Sequence, residues 1–143
     1  AGAYSLSWEV ETSYSTETRD SHYKEHFHTT SRLQRQEFSR AVLKRRNFMP
    51  IQSVLFESTL FERFGGFDIE MDALEHWDLW TRYASAKPFR YLEKTTSIFR
   101  TPHELSTRAQ RHKALHASFE LALEKQEAFS ARTGISHCAP VQE

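Results

Sequence analysis

Little in this sequence can cross-link, break or loosen the chain. Cys138 is the single cysteine among 143 residues, so no internal disulfide can form and a reducing compartment is expected. Glycine and proline occur four times each, too few for a loop-dominated or low-complexity chain. No apolar run approaches the roughly twenty residues that a membrane-spanning helix needs, and the N-terminus lacks a basic region followed by an apolar one. The expected setting is therefore a soluble, cytoplasmic one, with any attachment to the inner face of a membrane made by other parts of the protein. An excess of either charge is missing too: nineteen Lys and Arg offset nineteen Asp and Glu. That balance removes the draw toward nucleic acid, and a nucleic-acid reading through Arg45 and Arg46 fits poorly with it.

Aromatic side chains are plentiful, with eleven Phe, five Tyr and three Trp, so a packed core is expected in one domain over residues 1–143. Tyr4, Leu6, Trp8 and Val10 alternate with Ser5, Ser7, Glu9 and Glu11, the period of a strand. It starts with almost no lead-in, which is read as a cut inside a longer protein. Residues 13–35 are polar without a sustained period and are predicted to be a long loop. Within it His26 and His28, with His22 nearby, admit two readings, a metal clamp or solvated loop histidines.

Phe38, Val42 and Leu43 share one face of a short predicted helix over 36–46, ended by Asn47 and Pro50. Residues 51–56 form an apolar run suited to a buried strand. Thr59 and Glu62 have capping-box spacing for a helix that Gly65 would stop, and Gly65-Gly66 allows a tight turn into Phe67-Asp68. A helix is predicted from about Leu74 to Ala86, ended by Pro88, then extended chain over 89–99. A long last helix is predicted over 106–132, with Leu115, Phe119, Ala122 and Phe129 on one face and Gly134 as its stop. These elements make an α/β or α+β domain of short strands and amphipathic helices.

Three pieces then stand in order: Gly65-Gly66-Phe67-Asp68, the run Glu75-His76-Trp77-Asp78-Leu79-Trp80-Thr81-Arg82, and Arg100-Thr101-Pro102-His103. Each is common alone. In this order over about sixty residues, 47–106 resembles the acceptor-side, C-terminal half of inverting family 2 glycosyltransferases of the GT-A type, and Tyr4–Trp8 looks like the family strand that follows the metal-binding loop. The resemblance implies a transferase that moves a sugar from a nucleotide-sugar donor to a saccharide acceptor in polysaccharide or glycoconjugate biosynthesis. It implies a divalent cation, Mn or Mg, in the complete enzyme and none bound to the isolated chain.

Carried over by motif, the acceptor pocket would involve Gly65, Gly66, Asp68, Trp77, Arg82 and Arg100, and His103 would contact the metal or the diphosphate. The general base would sit at Glu75-His76. The family has Glu-Asp there, so this sequence places an imidazole in the base column, and Glu75 or Asp78 are alternatives for the role. An imidazole with an ordinary pKa near 6.5 is a competent base at neutral pH. Trp77 and Trp80 admit either stacking on a sugar ring or core packing. The resemblance also implies that the isolated chain is inactive, and that an apolar face (Leu6, Trp8, Val54, Phe56) lies open to self-association. The alternative function is a non-catalytic glycan-binding or assembly module derived from the same fold, which the Glu75-His76 departure favours.

Overall fold

The computed structural model describes residues 1–15, 22–30 and 34–134. The chain runs β1 (Gly2–Ser15), β2 (His22–Thr30), α1 (Arg40–Arg45), a single 3-10 turn (Ile51–Ser53), β3 (Val54–Phe56), α2 (Ser58–Phe64), α3 (Glu75–Ala86), β4 (Phe89–Pro102) and α4 (Leu105–Thr133). The mixed α and β content agrees with the sequence reading.

β1 is the centre of the one sheet. β4 lies parallel to it and pairs with residues 2–12. β3 pairs antiparallel with residues 2–4 and β2 antiparallel with residues 8–15. Because β4 already occupies one edge throughout, β3 and β2 must share the other edge end to end. The gap between them is closed by a side chain: Gln34 Oε1 accepts the amide of Ser7 at 2.8 Å, so a buried N–H that no strand reaches keeps a partner. Gly2 stands where β3 comes closest, and a Cβ there would meet the Leu55 carbonyl oxygen at 2.0 Å. Ser5 pairs with Leu92, Leu6 with Thr95 and Ser7 with Ser97, so β4 carries extra residues, Glu93-Lys94 and Thr96, on either side of the Leu6 pair.

The predicted loop over 13–35 is corrected here. Its first part continues β1 to Ser15, and His22–Thr30 forms β2 with Tyr14 and Tyr23 packed across the pair at 5.2 Å. Tyr23 through His28 are all exposed, so neither face carries the apolar alternation that marks a half-buried strand. Asp20 and part of the polar run at Thr16–Ser21 lie outside the described residues.

The core lies between the start of β1, α1, the 47–50 segment, α3 and α4. Residues 77–85 of α3 are all buried. Trp77 donates its indole N–H to the Leu43 carbonyl, and Trp80 donates to Met49 O at 3.2 Å. α4 packs through Phe119, stacked on Trp77 at 5.3 Å, and through Ala122 and Phe129, the face its sequence predicted. Gly65 and Gly134 end α2 and α4 as expected, both at positive φ. α2 starts two residues earlier than its Thr59–Glu62 spacing implied: its N-cap is Glu57, with no side-chain capping bond. Of the four residues expected on an open apolar face, Leu6 is buried, Val54 half-buried, and only Trp8 and Phe56 are exposed.

Candidate functional site

α3 separates two clefts, and the residues singled out in the sequence divide between them. The first, of about 1090 Å³, lies between the Gly65–Asp68 turn and the C-terminal part of α4. Gly65 holds φ 76° and ψ 179°, a conformation nearly restricted to glycine. The turn is held from beneath by Arg82, whose Nε donates to Asp78 Oδ2 at 2.8 Å and whose two terminal nitrogens donate to Phe64 O and Gly66 O at 2.6 and 2.7 Å. Tyr83 OH donates to Gly65 O at 2.9 Å. From above, Lys125 Nζ donates to Asp68 Oδ2 at 2.6 Å and to Glu70 Oε2 at 2.8 Å. Those bonds hold the Asp68 carboxyl below its usual range. Asp78, Arg82 and Asp68 are thus engaged with one another's surroundings, and Asp78 is only 3% exposed.

The second cleft, of about 490 Å³, opens on the other side of α3. Phe48, Phe99 and Leu115 give it an apolar wall, and His76, Arg108, Arg111 and His112 bring the polar chemistry. Its floor begins at Leu74, the residue before α3, which sits in the left-handed region at φ 64°. A non-glycine residue there is strained by about 1–3 kcal/mol, and such strain concentrates at functional sites. His76 Nδ1 lies 3.4 Å from Glu75 Oε1, near enough for charge to be felt but without hydrogen-bond geometry. Burial lowers the His76 pKa, against the pull of Glu75 and with a further push from Arg111. The imidazole is therefore neutral at pH 7. Among the described residues four buried side-chain polar atoms lack a hydrogen-bond partner, and two of them, His76 Nδ1 and Thr101 Oγ1, belong to residues that line this cleft.

Glu75 and His76 meet as predicted at the start of α3, whereas Asp78, three residues on, turns to the first cleft and is committed to Arg82. Trp77 is 1% exposed, as is Trp80; both belong to the core, so neither presents a face to a sugar ring here. Arg100 stacks over Tyr23 at 5.0 Å on the hairpin side of the sheet. His103 follows β4: its amide bonds to Thr12 O at 2.9 Å, its Nδ1 lies 3.3 Å from Glu11 Oε2, and its ring stacks on His26 at 3.9 Å. The other Glu11 oxygen takes Arg108 at 3.2 Å. Stacked rings do not converge their nitrogens on one point. His26 Nε2 is paired with Ser13 Oγ and His28 Nε2 with Glu25 Oε2. Among the described residues no group of three or more His, Cys, Asp or Glu is placed to hold a metal ion, and His26 and His28, both exposed, follow the solvated reading. Among them, too, no helix is long and apolar enough to cross a membrane.

The sequence reading missed Arg108, Arg111 and His112. Positions 108, 111, 112 and 115 fall on one helical stripe, and that stripe runs on into Phe119 and Ala122. A stripe that changes from apolar to basic along one helix face was the available signal. Models of known protein families, curated proteins and solved structures were each compared with the chain. None matches. The glycosyltransferase resemblance therefore rests on the motif residues themselves.

Proposed function

We propose that this chain forms the acceptor side of an inverting, family 2-type glycosyltransferase, with His76 as the general base and the donor nucleotide bound by another part of the protein. The observation that carries the reading is His76 itself: a neutral imidazole at a helix start, its buried Nδ1 without a hydrogen-bond partner, in the lining of a cleft large enough for a sugar ring. An acceptor hydroxyl within hydrogen-bond reach of that ring would pass its proton to it as the oxygen attacks the sugar carbon, while the nucleoside diphosphate departs from the opposite face. Glu75, close to Nδ1, stabilises the imidazolium that results. Phe99 and Leu115 supply the apolar surface against which a sugar face can pack.

Under the same proposal a Mn or Mg ion belongs to the complete enzyme, yet the side chains around His103 do not fit a cation site, so no step is assigned to one. The test is His76→Gln in the whole protein, assayed with a panel of nucleotide sugars and saccharide acceptors. Turnover should fall by about a hundredfold or more while the thermal midpoint stays close to wild type. Unchanged turnover would remove His76 as the base. Acceptor binding without turnover in the wild type would instead favour the non-catalytic glycan-binding module.

A further inference from the structure

The wall of the cleft beside His76 holds a guanidinium in a fixed orientation. Arg111 lies with its guanidinium carbon 5.0 Å above the Phe99 ring, a stack that fixes the planar group while leaving its N–H edges free to donate. Among the described residues no carboxylate pairs with it. Arg108 is half used, giving one nitrogen to Glu11, and His112 lies one residue beyond Arg111 on the same wall. Glu9 is the carboxylate lining this cleft, and Glu75 stands beside His76 at its edge. Phe99 and Leu115 form an apolar surface next to these donors.

A neutral sugar seated over this preoriented guanidinium would displace water from it without matching its charge, which is costly, whereas an oxyanion would satisfy it with charge-assisted bonds. Resting on the reading of this cleft as the acceptor site, we infer that the acceptor is an acidic saccharide, its carboxylate or phosphate held by Arg111 with His112 beside it and its ring packed on Phe99 and Leu115. The acidic group would then orient the neighbouring hydroxyl toward His76.

The experiment titrates the 143-residue chain with glucuronate, glucose 1-phosphate, glucose and inorganic phosphate by calorimetry, and follows the histidine imidazole signals by NMR. One or both of the acidic sugars should bind at least about tenfold more tightly than glucose, and the tighter of the two identifies the oxyanion. Arg111→Gln should remove that advantage, Arg111→Lys should restore part of it, and both variants should melt like the wild type because Arg111 is only half-buried. The His76 signal should titrate at higher pH with the acidic sugar bound, as an anion nearby favours the imidazolium. Equal binding of glucose and the acidic sugars, or an acid preference that survives Arg111→Gln, overturns the inference. Inorganic phosphate binding as tightly as the sugars overturns it as well, since the site would then read an ion and not a saccharide. Failure here is separable from failure of the glycosyltransferase reading. Loss of turnover in His76→Gln without an acid preference removes this inference alone, while an acid preference lost in Arg111→Gln beside normal turnover in His76→Gln removes His76 as base and leaves the anion site.

Discussion

At the scale of single residues, His76 and Arg82 show how neighbouring turns of one helix take opposite tasks. His76 is kept neutral by burial, with Glu75 pulling its pKa up and Arg111 pushing it down; Glu9, Arg108 and His112 line the same cleft. If His76 accepts the proton, kcat/KM should stay level from pH 8 down past the ordinary histidine value of 6.5 and fall only at more acid pH, because that parameter reports the free enzyme. Arg111→Gln should move this acid limb up and Glu75→Gln should move it down. A limb above 6.5 in the wild type, or one that neither change moves, would rule out His76 as the titrating base. Arg82 is the opposite case. Its side-chain hydrogen bonds go to Asp78 and to the carbonyls of Phe64 and Gly66, in a region where the Arg82 and Asp78 side chains are both nearly buried. Removing one partner of such a pair leaves an uncompensated charge, so Arg82→Met should cost about 3–5 kcal/mol in urea denaturation. A cost below about 1 kcal/mol would show the clamp to be incidental to the fold.

At the scale of elements, the turn after α2 depends on Gly65 and Gly66 unequally. Gly65 at φ 76° has open space around it, so a side chain there meets strain and not a clash, and Gly65→Ala should lower stability by about 1–3 kcal/mol. Gly66 has ordinary backbone, and a Cβ would touch only the rim of the Phe61 ring, at 2.8 Å. That ring is exposed and can turn aside. Gly66→Ala should therefore be milder than Gly65→Ala in thermal denaturation, and the reverse order would mean that the turn is not set by backbone conformation. These elements were legible in the sequence to different degrees, for physical reasons. α3 and α4 were placed within a residue or two because Pro88 and Gly134 stop them and because Trp77, Trp80, Phe119 and Ala122 recur at helical spacing. β2 was missed because its exposed faces select no apolar alternation, and the long β4 was cut short at Phe99 because Pro102, its last residue, reads as a break although it needs no donor there. Of the candidate site, Glu75-His76 was readable as a motif. Its opposite wall was not, since Arg108, Arg111 and His112 look in sequence like any solvated helix face, and the bonds from Arg82 to backbone carbonyls leave no signature at all.

At the scale of the whole molecule, α4 ties the two clefts together. Near its start Arg108 reaches Glu11 at the far end of β1, in its middle Phe119 covers Trp77, and further on Lys125 grips Asp68 and Glu70 while Phe129 packs on Phe64. The Lys125 tie makes the attachment depend on pH in a definable way. Asp68 has its carboxyl pKa lowered in the folded state from an ordinary 3.8, chiefly by the bond from Lys125, so its contribution is present above that value and is lost as pH falls through the lower, folded one. Lys125 is raised from 10.5 to about 12, chiefly by Asp68, so its contribution is whole below 10.5 and is lost as pH rises through about 12. His76 adds a separate acid limb: with its folded pKa lowered, its contribution is present above 6.5 and is lost as pH falls through the lower, folded value. Comparing wild type with Lys125→Met in a His76→Gln background isolates the first effect. Between about pH 5 and 10 the two proteins should differ in urea midpoint by a constant amount, and amides in the last turns of α4 should exchange faster in Lys125→Met. As the pH drops below 3.8 the difference should close, because the wild type loses the tie that the variant never had. If the two curves instead run parallel down to pH 2, the C-terminal half of α4 is held by Ala122 and Phe129 alone, and the Gly65–Asp68 turn is not fastened to it by charge.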